Sequence, residues 1–349
     1  MNRKILLAIL GAAFVGIVTG CFLHVQREWK VQDRDACTKQ LFAMNTYMSF
    51  TAYGENAAQA VDAAMAQVQA LDELLSVGKK SSEVSVLNRE GSLEVSEDTA
   101  ELFYRALEIY EETAGIFDVT ICPVMELWGF PSKNYHVASE EELAQVLPFV
   151  DASRVKIVPK EHGGAAVTLG TGQKVDFGGI AKGYAAMKVM EIFRSYGITS
   201  GQVSLGGNVQ VLGVKPDGSR WRIGIRDPEG GQKDPIAVVS VDNRAVVTSG
   251  GYERYFEEDG KRYIHILDPR TGRPAEGDLL SVTVLSEDGT LADALSTSLY
   301  IMGKEEACAY WRAHREDFDM VLVTEDQELC VTDGIADGFQ SEQTYQVLK

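Results

Sequence analysis

The sequence predicts an α+β fold. Segments with apolar residues at helical spacing alternate irregularly with short β-rich runs bounded by Gly, Asp and Pro turns, and neither a repeat of fixed period nor a regular strand-helix alternation is present. The 349 residues suffice for one large core or two fused ones, and 45% hydrophobic with 24% charged content belongs to a globular chain and not a disordered one. A formal net charge of −18, with no basic patch interleaved with aromatics, argues against nucleic acid as a partner. An anionic small ligand would need a local island of positive charge or of backbone N–H groups.

Arg3 and Lys4 precede an apolar run from Ile5 to Val18, and Val18-Thr19-Gly20-Cys21 follows. This is the pattern of a secretory signal, and its end resembles the bacterial lipobox. Residues 1–20 are expected to be a lipoprotein signal peptide, with Cys21 lipidated and the body anchored to the membrane on the extracytoplasmic side. An uncleaved span over Ile5 to Leu23 is the alternative. Residues 21–39 read as anchor and tether, 40–340 as the folded domain, and 341–349 as a tail. Cys37, Cys122, Cys308 and Cys330 show no metal spacing, and buried free thiols are the default reading.

"LFAMNTYMSFTAYG" is rich in β-formers and reads as a strand ending at Gly54. Ala57 to Val77 repeats apolar residues at Val61, Met65, Val68, Leu71 and Leu75, a helical spacing. A second helix starts at Ser96, an N-cap followed by Glu97 and Asp98, and stops at Gly115. "RVKIVPKEHGGAAVTLG" reads as a hairpin turning at Gly163 and Gly164, and a helix runs from Gly179 to Tyr196 with Gly197 as its cap. Short strands fill Gln202 to Leu285. Helices at about Leu291 to Met302 and Glu305 to His314, then strands at Met320 to Thr324 and Leu329 to Thr332, complete the chain.

Four stretches carry potential chemistry. In "VDFGGIAKGYAA", Gly178 and Gly179 sit where a strand becomes a helix, with Lys182 in the first turn. Helix N–H groups and a lysine suit an anion, though a plain strand-to-helix turn has the same form. In "TLADALSTSLYIMG", Asp293 and Thr297 share one helix face and offer hard oxygen ligands suited to Mg2+; a capping box at Thr290 and an ordinary buried hydroxyl explain them equally well. In "YIHILDPRTGRP", alternation puts Tyr263, His265 and Leu267 on one face and Ile264 and Ile266 on the other, and a lone histidine among hydrophobes is ordinarily core. "AGIFDVTICPVMELWGF" sets Asp118 among apolar and aromatic residues fit to wall a planar ring or to fill a core.

Taken in register over about residues 40 to 340, these segments, with "MNTYMSF", "SSEVSVLN", "VSLGGNVQVLG" and "VVTSGGYERYF", resemble the ApbE family of FAD:protein FMN transferases. The resemblance implies an α+β body of mixed and antiparallel sheets and packed helices, with FAD in a cleft between two lobes. It implies transfer of FMN from FAD to a threonine hydroxyl of an acceptor flavoprotein, with release of AMP. The metal site would use the Asp293 carboxylate, the Thr297 hydroxyl and the Gly179 carbonyl. Met44, Ile116, Phe117, Asp118, Asp176, Lys182, His265 and Ile266 would contact FAD, and His265 would take the threonine proton. At Gly251 some members are acidic. No acceptor motif is present, so the expected target is another protein, a subunit of a membrane or extracytoplasmic redox system. An FAD pyrophosphatase and a non-catalytic, lipid-anchored flavin-binding protein are the alternatives; the Asp293/Thr297 pair argues against pure binding, because ring recognition needs no metal.

Overall fold

The computed structural model describes residues 36–230 and 235–349. The signal peptide, Cys21 and all but the last four residues of the tether therefore lie outside the described residues. Strands β1 (Ala36–Ala43) and β2 (Thr46–Tyr53) form a hairpin, followed by α1 (Ala57–Leu75), α2 (Glu83–Glu90), β3 (Ser92–Val95) and α3 (Glu97–Glu112). Short helices α4 (Cys122–Leu127) and α5 (Glu140–Val146) lead to β4 (Lys156–Pro159) and β5 (Ala165–Thr168), then to α6 (Ala181–Ser195). Strands β6 (Ser200–Leu205), β7 (Asn208–Leu212), β8 (Trp221–Arg226), β9 (Pro235–Val241), β10 (Ala245–Gly250), β11 (Tyr255–Glu258), β12 (Lys261–Ile264) and β13 (Leu279–Ser286) follow. The chain ends with α7 (Gly289–Ala313), β14 (Asp319–Thr324), β15 (Leu329–Thr332), β16 (Phe339–Gln340) and β17 (Tyr345–Leu348).

The main sheet has nine strands in the order β1-β2-β6-β7-β10-β13-β14-β15-β17, antiparallel except for the last pair. In β14, Val321 and Val323 face the three-stranded sheet β16-β9-β8, whereas Met320 and Leu322 face α7. Both faces being covered, the strand reads as the continuous apolar run "MVLV" instead of an alternating one. Fully burying each of these side chains contributes roughly 1.5–3 kcal/mol. A separate core joins β1, β2 and β6 to α1 and α6 through Phe50, Val61, Val203 and Phe193. Trp128, Phe130, Phe256 and Leu267 form another that ties α4 and α5 to the β11-β12 hairpin.

Several boundaries differ from the sequence reading. The "LFAMNTYMSF" strand is a hairpin, because Met44 (φ 46°) and Asn45 (φ 59°) both occupy left-handed backbone and close a two-residue turn without glycine. The body includes Ala36 to Lys39, upstream of the expected start at Gln40, since they pair with Phe50 to Tyr53. The expected tail is structural: Tyr345 to Leu348 pair with Leu329 to Thr332 and complete the main sheet. The expected pair of late helices does hold: α7 is two helical stretches separated at Gly303, whose φ of 78° and ψ of 172° are not helical. The described cysteines carry no disulfide; Cys122, Cys308 and Cys330 are buried and Cys37 is half-buried.

Candidate active site

The Gly178-Gly179 turn is set by Asp176. Its backbone N–H donates to the Val119 carbonyl at 2.8 Å, and its Oδ1 accepts the Gly178 N–H at 2.7 Å. Helix α6 then starts at Ala181 with no side-chain cap of its own from Ile180. A helix start leaves unpaired N–H groups at the positive end of its dipole. Asp293, on α7, supplies the missing partner: its Oδ2 accepts the Gly183 N–H at 2.8 Å. The two helices meet at glycine because nothing larger fits. A Cβ on Gly183 would lie 2.6 Å from Asp293 Cβ and closer still to the Gly289 carbonyl oxygen.

Asn208, at the head of β7, completes this junction. Its amide donates to Asp293 Oδ1 at 2.8 Å, and its Oδ1 accepts from Lys182 Nζ at 3.3 Å. Asn208 is 3% exposed and Asp293 4%, so both polar groups depend on these bonds. One turn along α7, Thr297 Oγ1 lies 3.2 Å from Ser249 Oγ on β10. Of the expected metal ligands, Asp293 and Thr297 lie one turn apart on α7, and Asp293 bonds Gly183 in the first turn of α6, the helix that the Gly179 turn opens. Each Asp293 oxygen accepts a single bond and keeps a further lone pair, so the donor set of carboxylate, hydroxyl and carbonyl fits a hard cation such as Mg2+. Among the described residues no three His, Cys, Asp or Glu side chains converge as a metal cluster, so a cation here would depend on hydroxyl and backbone oxygens.

His265 follows directly on β12. Its Nδ1 lies 3.0 Å from the Arg254 carbonyl oxygen, and its own backbone N–H donates to the same oxygen at 3.0 Å. A carbonyl only accepts, so Nδ1 carries the proton and Nε2 presents a lone pair. The ring retains an opening to solvent but is enclosed by protein on its other sides, with Phe130 edge-on at 6.4 Å. Burial, reinforced by the charges of Arg254 and Lys182, pushes its pKa down to about 4. His265 is therefore neutral at physiological pH. Burial raises the pKa of Asp176 against the opposing charge of Arg254. Burial also raises that of Glu253, with Asp293 adding and Lys182, Arg226 and Arg254 opposing. The Arg254 charge thus acts on Asp176, Glu253 and His265, and the Lys182 charge on Glu253 and His265.

The remaining expected residues are placed as follows. Ile116 and Ile266 pack together with Ile301 in a small cluster. Phe117 is 6% exposed and its ring edge lies 3.5 Å from where a Gly179 side chain would begin. Met44 sits in the β1-β2 turn, which abuts the Gly206-Gly207 turn: a Gly206 side chain would meet Thr46 Cβ at 2.9 Å. Asp118 is 7% exposed. Its Oδ1 accepts from the Thr120 N–H (2.7 Å) and hydroxyl (2.6 Å), and its Oδ2 from the Ala152 N–H (3.1 Å), so the carboxylate is spent on a local turn and a loop contact. Trp128 is a core residue, with its indole N–H donating to Gly272 of the DPRTG turn at 2.8 Å. At Gly251 a side chain would begin 3.0 Å from both Ile264 and the Tyr300 hydroxyl, so an acid does not fit without local movement.

The residues that sequence reasoning passed over are Asn208, Ser249, Glu253 and Arg254. A polar residue directly after the Gly-Gly turn in "LGGNVQV" and two adjacent charges in "GGYERYF" were the available signals. A cavity of about 130 Å3 lined by Asp227, Ile236, Leu280 and Gln343 shares no residue with this site.

Comparison with known proteins places the chain in a family. The pattern described as the ApbE family matches residues 44–322. The FAD:protein FMN transferase of Treponema pallidum is 35% identical over 303 residues, covering 82% of this chain and 83% of that protein. The protein of the same name from Escherichia coli K12 is 32% identical, covering 74% and 75%. The crystal structure of the ApbE protein of Thermotoga maritima superposes with a TM-score of 0.78 at 34% identity, over 84% of this chain and 96% of that one. The flavin transferase ApbE of Vibrio cholerae gives 0.73 at 27%, over 88% and 96%.

Proposed function

The chain belongs to the ApbE family, and on that premise we propose that it is an FAD:protein FMN transferase that moves FMN from FAD to a threonine hydroxyl of an acceptor flavoprotein and releases AMP. The observation that carries this reading is the hydrogen-bonded bridge Lys182-Asn208-Asp293, set beside a neutral histidine with a free Nε2. Asp293, Thr297 and the Gly179 carbonyl would hold Mg2+, which supplies charge neutralisation at the FAD pyrophosphate and at the departing AMP. Lys182 adds a positive charge for the phosphates, and Ile116, Phe117 and Ile266 offer apolar surface for the flavin.

In the transfer, a bond forms between the threonine Oγ and the FMN phosphorus as the bond from that phosphorus to the AMP oxygen breaks. The threonine proton passes to His265 Nε2. A pKa near 4 makes a weak base, but a pyrophosphate bound beside the ring would favour the imidazolium and raise it. Such a reaction depends mostly on positioning and charge stabilisation, which the rigid junction of α6, α7 and β7 provides. The acceptor is expected in a membrane or extracytoplasmic redox system. The pattern at Val18 to Cys21 supports a lipidated Cys21 and an extracytoplasmic body.

The test is to incubate the protein with FAD, Mg2+ and an acceptor domain, denature, and look for flavin fluorescence on the acceptor. Labelled acceptor supports the transferase. Free FMN and AMP without label would make the protein a hydrolase, and unchanged FAD would refute both.

A further inference from the structure

We propose that Ser249 is a positioning residue that orients the Thr297 hydroxyl, turning its proton away from the cleft so that its oxygen lone pairs face the cation. This rests on the reading that Asp293 and Thr297 hold Mg2+.

Three hydroxyls form a chain. Thr297 Oγ1 lies 3.2 Å from Ser249 Oγ, Ser249 Oγ lies 2.8 Å from Ser296 Oγ, and Ser296 Oγ donates to the Asp293 backbone carbonyl at 2.8 Å. Each hydroxyl has one proton, and a carbonyl has none. The direction of the chain is therefore forced from its far end. Ser296 spends its proton on the carbonyl, so Ser249 donates to Ser296, and Thr297 donates to Ser249. The reverse polarity would require Ser296 to abandon the carbonyl.

Thr297 differs here from a neighbour on the same helix. Serine and threonine in helices often donate back to the carbonyl four residues earlier, as Ser298 does to Ala294 at 2.9 Å. The equivalent carbonyl for Thr297 is that of Asp293, which already receives Ser296. Thr297 is thus diverted across to β10, and its lone pairs are left on the face of α7 that carries the Asp293 carboxylate. Partners that orient a metal ligand typically change metal affinity by about 10- to 100-fold when removed.

The experiment is calorimetric titration of Mg2+ into the FAD-saturated full chain without acceptor. Ser249→Ala is expected to weaken Mg2+ binding about tenfold or more, and Ser249→Thr, which keeps the hydroxyl, to stay near the unaltered protein. Ser249→Cys, whose sulfur is only a weak acceptor, should show a similar loss and carries the test if Ser249→Ala does not fold. Unchanged affinity in Ser249→Ala or, failing that variant, in Ser249→Cys overturns the proposal, as does an equal loss in Ser249→Thr. If the unaltered chain binds no Mg2+, the metal-site reading itself fails and takes the proposal with it.

Discussion

The replacement Gly183→Ala tests whether the site is built on a close crossing of α6 and α7. Alanine is normally the better helix former by about 1 kcal/mol, so at an open position the change would stabilise α6. Here the new Cβ would stand 2.6 Å from Asp293 Cβ and nearer still to the Gly289 carbonyl oxygen. Carbon atoms normally approach to about 3.5–4.0 Å, so the helices must separate by about 1 Å. Overpacking of this kind costs about 1–3 kcal/mol. The same movement stretches the Gly183 N–H bond to the Asp293 carboxylate, and a hydrogen bond to a charged group contributes about 1.5–3 kcal/mol. The losses exceed the propensity gain, leaving a net destabilisation of about 2–4 kcal/mol. Differential scanning calorimetry should show a melting temperature lower by roughly 3–6 °C, and Mg2+ should bind more weakly. An unchanged or higher melting temperature would mean that the helices have slack and that the crossing does not set the site.

Three further outcomes follow from the site geometry. His265→Ala should lower flavin transfer by about 10²-fold or more while shifting the melting temperature little; if it mainly unfolds the protein, the histidine is a core residue after all. Because the folded-state pKa of His265 is depressed from 6.5 to about 4, the neutral ring persists below pH 6, and its contribution to stability is full above pH 6.5 and lost as pH falls through 4. A chemical-shift titration of His265 in the ligand-free protein with a midpoint near 6.5 would contradict that burial. Asn208→Ala removes donors to Asp293 and an acceptor for Lys182, and should cost about 1–3 kcal/mol of stability together with a raised KM for FAD; a change in stability alone would leave Asn208 a packing residue.

Much of the fold was legible where one physical signal dominated. Helix α6 carries Gly197 (φ 77°) just past its end and buries Tyr184, Val189 and Phe193 at helical spacing, so both its period and its stop were visible. The hairpin at Asp259 and Gly260 shows as a turn because both residues favour its left-handed backbone. Helix α2 escaped notice because it is eight residues long and buries only Val84 and Leu87, too few to register as a period. The β1-β2 turn was missed because Met44 is an unusual residue for positive φ, held there by tertiary contacts. At the site, single residues such as Lys182, His265 and Asp293 were nameable from their local setting and the family resemblance. The relations among them were not: the Asn208-Asp293 bond spans 85 residues and the Ser249-Thr297 contact spans 48, and no local pattern reports such pairings. The partners of Asp118 were hidden in the same way, since the Ala152 N–H lies 34 residues from it.

The double engagement of Asp293 makes it a staple between elements. Its carboxylate already joins the start of α6 to the head of β7 through Gly183 and Asn208, so its orientation is fixed by folding and a cation bound there would meet a carboxylate that need not reorganise. Truncating it to alanine would therefore remove a mechanical tie together with a charge, and lost activity in that variant would not distinguish the two. Asparagine keeps one carbonyl oxygen for the Gly183 N–H but sets its NH2 against the donating NH2 of Asn208, so Asp293→Asn removes the charge while keeping the tie to α6 and losing the one to β7.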